Sequence, residues 1–250
     1  MTVALQTFDL SKRFGGIIAT DHVDFTLQRG ARHALIGPNG AGKTTFVNQL
    51  TGVLKPSSGR IELMGQDITE MPREARVKRG LARTFQINQL FATMTPLEMI
   101  ALVTSERLGR GAHPFSALDR DAELVAQTAE ILARFRLDDI MDWTIATLPY
   151  GKQRQIEIAA AFAAKPSVLL LDEPAAGVPE AERRELMDMV ASLPEDVSVL
   201  LIEHDMDLVF RFATRITVLV NGRVLAEGTP DEMARDPAVR WAYLGEAAHV

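Results

Sequence analysis

The sequence predicts an α/β fold: a core sheet flanked by helices, preceded by a β-rich region and interrupted by a helical insertion. Three observations carry this. The stretch Gly37-Pro38-Asn39-Gly40-Ala41-Gly42-Lys43-Thr44-Thr45 fits G-x-x-x-x-G-K-[ST] and sits between a short apolar run, Arg32 to Ile36, and a helix-like run, Phe46 to Leu50. Two near-continuous apolar runs, Ser167 to Leu171 and Val197 to Ile202, read as strands buried on both faces, and each ends on acidic residues. Residues 88–165 carry little strand signal and read as helices.

Composition narrows the classes of function. At 250 residues the chain can bury the core of one large domain or two small ones. A formal net charge of −6 disfavours a dominant role in binding nucleic acid. The absence of cysteine excludes disulfides and cysteine metal sites and fits a reducing compartment. The first residues, Met1 to Asp9, lack the basic start and apolar core of a signal peptide, and the longest apolar runs, such as Ile158 to Ala164, are far too short to span a membrane. A soluble chain is expected, with any membrane association made through a partner.

Taken in order, Val3 to Phe8 and Val23 to Leu27 read as strands, with Gly15-Gly16 as the turn between them. Phe14, just before that turn, is either a core aromatic or a ring that stacks on adenine. The glycine loop follows. Its glycines let several backbone N–H groups converge on one anion. Lys43 supplies a positive charge for β- and γ-phosphates, and the Thr44 hydroxyl can ligand Mg²⁺. The helix that follows adds unpaired N–H groups and the positive end of its dipole.

Thr51 to Gly59 is turn-rich, Arg60 to Met64 reads as a strand ended by Gly65, and Pro72 to Arg79 as a short helix. Gly80 to Gln86 reads as a strand ending on an amide. Gln86 is either a solvated strand end or a contact to Mg²⁺ or the attacking water. Thr95-Pro96-Leu97-Glu98 starts a helix with proline just inside. Asp119 to Arg136 places Leu124, Thr128, Ile131 and Phe135 on one stripe. Leu148 to Arg154 leads into an apolar helix, Ile156 to Ala164; Gly151 there marks either an anion site or an ordinary helix start.

After the run ending at Leu171, Asp172 can hold Mg²⁺ through water and Glu173 can polarise the water that attacks a γ-phosphate. Two acids in a loop are otherwise simply solvated; their position downstream of the glycine loop favours the chemical reading. Pro179 to Ser192 reads as a helix. His204 shares a sheet edge with Asp172 if the strands are parallel, and is either structural or a partner of the γ-phosphate. Arg215 to Val220, Asn221-Gly222 and Arg223 to Glu227 form a β-hairpin, and short helices follow.

In this order and spacing the motifs resemble the ATP-binding cassette (ABC) family along essentially the whole chain. Gly37 to Thr45 matches Walker A, and Val168 to Glu173 matches Walker B with its catalytic glutamate. Gln86 matches the Q-loop glutamine, His204 the switch histidine, Phe14 the adenine-stacking aromatic, and Leu148 to Gln153 the signature motif. The resemblance implies a single nucleotide-binding domain of the P-loop NTPase kind. Its RecA-like α/β core, with the antiparallel region at its N-terminus, would be residues 1–87 and 166–250, and its helical subdomain residues 88–165.

Two departures stand out. Pro149 replaces the signature serine and Tyr150 the first signature glycine, so neither a serine hydroxyl nor the N–H of residue 149 is offered to a facing nucleotide. Ala175-Ala176-Gly177-Val178-Pro179 departs from the family's D-loop. With Leu-Pro-Tyr-Gly-x-Gln-Arg and Asp-Glu-Pro-Ala-Ala-Gly, the chain is similar to the ATPase subunits of bacterial branched-chain (hydrophobic) amino-acid importers.

That resemblance implies ATP and Mg²⁺ as cofactors. Two ATPase subunits, identical or different, clamp ATP head to tail under two membrane permease subunits, at the cytoplasmic face of the cell membrane. A periplasmic binding protein delivers the solute. Lys43 and the loop hold phosphates; Thr44, Gln86 and Asp172 serve the metal; Glu173 activates water; His204 steadies the γ-phosphate; Gly151 and Gln153 complete the facing site. Rival readings are a lipid or lipopolysaccharide exporter ATPase, a soluble cassette ATPase acting on DNA or ribosomes, and a switch that binds ATP without turnover.

Overall fold

A computed structural model describes residues 2–84, 90–110 and 121–247. The chain divides into two compact units. The first comprises Met1–Arg83, Ser167–Glu173 and Ala191–Val250; the second comprises Thr84–Pro166 and Pro174–Val190.

The first unit holds two sheets. β1 (Val3–Phe14), β2 (Ile17–Gln28), β4 (Ser58–Leu63) and β5 (Gln66–Asp67) form an antiparallel sheet in the order β2-β1-β4-β5. β1 and β2 are longer than the alternation in their sequences suggests. Register shifts interrupt their pairing, and Asp9 and His22 adopt left-handed φ values of 53° each. Such bulges break the period-2 pattern and hide the continuity of a strand from sequence.

The second sheet contains β3 (Arg32–Ile36), β6 (Leu81–Arg83), β7 (Val168–Asp172), β8 (Ser198–Ile202), β9 (Arg215–Val220) and β10 (Arg223–Gly228), in the order β10-β9-β3-β8-β7-β6. All pairs are parallel except the β9–β10 hairpin. Every residue of β7 and β8 is buried, as their unbroken apolar runs require. Helix α1 (Lys43–Leu50) follows β3, and its Phe46 meets Phe25 of β2 edge to face, ring centroids 5.5 Å apart.

Two buried basic side chains stiffen this unit. Arg76, on α2 (Arg73–Lys78), is 2% exposed and wraps the end of α1. Its NH1 donates to the carbonyls of Gln49 and Leu50 at 2.8 and 2.7 Å, Nε to Met71 at 2.9 Å and NH2 to Thr69 at 2.8 Å. A cation at the carboxyl end of a helix also opposes the negative end of its dipole.

His33 lies fully buried on β3, its Nε2 2.8 Å from the Thr217 hydroxyl. Burial pushes the imidazole down to about 4, against a smaller upward pull from Glu227. In the unfolded chain the ring titrates near 6.5. Between those values the unfolded chain binds more protons, so the stability that the neutral ring contributes is present above 6.5 and lost as pH falls toward 4. Lowering the pH from 7 to 5 is expected to cost the native protein about 2 kcal/mol that His33→Gln does not lose. Urea unfolding at the two pH values checks this; parallel losses in both proteins contradict it.

The second unit is helical. α3 (Pro96–Arg107) begins with a capping box: Thr95 Oγ1 accepts from Glu98 N, and Glu98 Oε2 accepts from Thr95 N. α4 (Ala122–Arg134) is capped by Asp121 and buries Leu124, Thr128, Ile131 and Leu132. α5 (Tyr150–Ala163) begins six residues before the apolar run expected at Ile156, because Pro149 takes the N-cap place and Gly151 continues as helix. Most of α6 (Glu180–Ala191) falls in the second unit with these helices. The chain ends through α7 (Met206–Phe212), α8 (Pro230–Arg235) and α9 (Pro237–Ala247), all in the first unit.

Candidate active site

The parallel register fixes where the candidate residues emerge. Leu35 pairs with Ile202 and Ile202 with Asp172, so β3, β8 and β7 end level with one another. The glycine loop leaves β3, Glu203-His204 leaves β8 and Glu173 leaves β7, all at the carboxyl edge of the sheet. This edge is where open α/β sheets hold ligands.

The loop is shaped by its neighbours as much as by its own glycines. A Cβ on Gly37 would lie 2.1 Å from the Leu219 carbonyl oxygen, and one on Gly42 2.2 Å from that of Ala19. Gly42 also has φ 99°, in the left-handed region. The Asn221-Gly222 turn, with both φ values positive as a type I′ hairpin requires, donates its Gly222 N–H to the Ala41 carbonyl at 2.9 Å. That brace was not visible as a motif: the turn was legible, but its target lies 181 residues earlier in the chain.

Lys43 opens α1, and its Nζ donates to the Gly37 and Pro38 carbonyls at 2.6 and 3.0 Å. The cation thus lies along the loop where phosphates would be held. No acid occupies the first turn of α1, which leaves its positive end uncompensated from within the helix. Thr44 is exposed on the same turn, while Thr45 is half-buried. Asn39 and Gly40 are exposed at the outer rim of the loop, Pro38 is half-buried and Ala41 is buried.

Asp172 is the last residue of β7, with Oδ2 2.6 Å from Arg83 NH2. Arg83 NH1 in turn donates to Asn48 Oδ1 on α1 at 2.7 Å. Glu173 follows with φ 47°, its N–H held by the Ile202 carbonyl at 2.9 Å. A left-handed glutamate at a strand end stores roughly 1–3 kcal/mol and turns the carboxylate out of the sheet. His204 Nδ1 lies 3.8 Å from Glu173 Oε1 and equally 3.8 Å from Oε2 of the buried Glu203. The histidine side chain is 67% exposed at this edge.

Thr44 and Asp172 offer a hydroxyl and a carboxylate, the hard oxygen donors that Mg²⁺ prefers. Among the described residues no group of three or more histidines, cysteines or acids forms a cage of its own. The donor set therefore fits a Mg²⁺ held mainly by phosphate oxygens and water.

Phe14 ends β1 and is 48% exposed, with Lys12 Nζ 5.3 Å from its ring centre. The β1–β2 hairpin that carries it passes the loop at Ala19. Gln86 lies outside the described residues. Gly151 and Gln153 belong to the second unit, in the first turn of α5. A Cβ on Gly151 would lie 2.0 Å from Glu182 Oε2, the movable end of a side chain on α6. Gln153 Nε2 donates to the Leu148 carbonyl at 3.0 Å. Arg83, Asn48 and Glu203 are the site residues sequence reasoning missed.

A family model described as ABC transporter matches residues 20–176, and one described as branched-chain amino acid ATP-binding cassette transporter matches residues 223–249. The chain is 40% identical over 247 residues to the high-affinity branched-chain amino acid transport ATP-binding protein LivG of Escherichia coli K12, spanning 95% of this chain and 96% of that one. It is 38% identical over 250 residues to BraF of Pseudomonas aeruginosa, described in the same words, spanning 97% and 98%. The ADP conformation of an ATP-binding cassette from an ABC transporter superposes with a TM-score of 0.83 at 30% identity, covering 98% of this chain and all of that one. A nucleotide-free cassette superposes at 0.81, also 30% identical, covering 96% and 98%.

Proposed function

The chain belongs to the ABC transporter family, and from that premise we propose that it is the ATP-hydrolysing subunit of an importer for branched-chain or other hydrophobic amino acids. The reading rests on the common sheet edge shared by the glycine loop, Asp172-Glu173 and His204, and on a C-terminal segment matched by the branched-chain transporter family. The units 1–83, 167–173 and 191–250 on one hand, and 84–166 and 174–190 on the other, are then the two parts of one cassette.

In this proposal the loop N–H groups and Lys43 bind the ATP phosphates, and Phe14 stacks on adenine. Thr44 and Asp172 would hold Mg²⁺, with Gln86 as a further contact; the metal would supply neutralisation of phosphate charge. Glu173 takes a proton from the attacking water, and His204 bonds the γ-phosphate. Gly151 and Gln153 serve the nucleotide of a facing second cassette. Two permease subunits and a periplasmic binding protein complete the assembly. The chain docks peripherally at the cytoplasmic face of the membrane; among the described residues no helix is long and apolar enough to cross it.

The test is phosphate release by the chain co-expressed with the membrane proteins that co-purify with it. Magnesium-dependent release is expected, at least a hundredfold weaker in Lys43→Ala. Nucleotide binding with no release, even in the assembly, would leave only the switch reading. Co-purification with lipid-exporting components would displace the amino-acid assignment.

A further inference from the structure

We propose that Arg83 is a positioning residue for the metal-bearing carboxylate: it fixes Asp172 by one oxygen and ties it to the helix that carries Thr44. The inference rests on the ATPase reading above and adds a residue that none of the sequence motifs contains.

The geometry is a three-part bridge. Arg83 is the last residue of β6, next to β7 in the sheet. Its NH2 holds Asp172 Oδ2 at 2.6 Å, while its NH1 holds Asn48 Oδ1 at 2.7 Å. The Arg83 and Asp172 side chains are each only 10% exposed. Asn48 stands four residues after Thr44 on α1, one turn further along the same helix face. Asp172 is therefore linked through a single guanidinium to the helix that carries Thr44. A lysine cannot reproduce this, because the bridge needs two donors held apart in a rigid plane.

With Oδ2 committed to Arg83, Oδ1 is the oxygen left to meet a metal or its water. Mg²⁺ demands near-ideal octahedral geometry, so the rotamer of a ligand matters. Groups that orient metal ligands from behind typically change metal affinity 10–100-fold when removed. A competing effect runs the other way, since a guanidinium beside the site repels a dication. The ion pair with Asp172 offsets that repulsion, and we expect orientation to dominate.

The test uses Mn²⁺, visible by electron paramagnetic resonance, titrated into the full chain with ADP. Arg83→Met is expected to raise the half-saturating Mn²⁺ concentration about tenfold or more. ADP affinity in EDTA should stay within about twofold, because phosphate binding by the loop does not pass through Arg83. Arg83→Lys should recover only part of the loss, and Asn48→Leu should shift the metal midpoint about threefold in the same direction. An unchanged or lower midpoint in Arg83→Met overturns the proposal, as does an equal loss of ADP affinity in EDTA, which marks general damage. If Arg83→Met does not fold, Asn48→Leu decides by the same criterion. Failure of the native chain to bind ADP at all would instead remove the ATPase reading itself.

Discussion

Glu173→Gln is expected to lower ATP turnover by about 10²–10⁴-fold while leaving ATP binding intact. The amide matches the carboxylate in shape but does not accept the proton that attack by water releases. In barrier terms the loss is about 3–5 kcal/mol. The phosphate-holding groups, Lys43 and the loop N–H donors, are untouched, so ATP should accumulate in a long-lived dimer of cassettes. Phosphate release measured beside nucleotide retention and molecular mass checks each part. Turnover at the native rate would show that another group, or water alone, serves as base.

Arg76→Met should strongly destabilise the chain away from the site. The guanidinium supplies hydrogen bonds to four carbonyl oxygens, two of them the last of α1. Hydrogen bonds to a charged group contribute about 1.5–3 kcal/mol each, though not additively. Methionine fills much of the space but leaves these acceptors facing an apolar chain. A loss of about 3–5 kcal/mol is expected, a large part of the 5–15 kcal/mol that holds a typical domain together. Gly52 sharpens the point: a Cβ there would come within 2.9 Å of Arg76 Nε. Urea unfolding measures the effect, and a loss below about 1 kcal/mol would mean that water satisfies the carbonyls unaided.

What the sequence made legible was governed by local rules. The glycine loop, the buried runs of β7 and β8 and the Asn221-Gly222 turn each state their geometry within a few residues. The apolar run that marks α5 in the sequence starts at Ile156, so its first turn, from Tyr150, carries no apolar signal of its own. β5, only two residues long, has too little sequence to carry a pattern. The basic residues Arg76 and Arg83 carry no motif. Each acquires its role from oxygen atoms that folding brings to it, Asp172 lying 89 positions from Arg83.

The strand order has a temporal corollary. β3, which launches the glycine loop, lies between β8 and β9, and the loop itself is braced by the turn after β9. A ribosome makes residue 45 long before residue 222. During that interval the emerging polypeptide owns every residue of the loop, yet neither flanking strand nor brace exists to set its curvature. Competence to grip a triphosphate is therefore acquired only once residue 222 has been made and the brace can form.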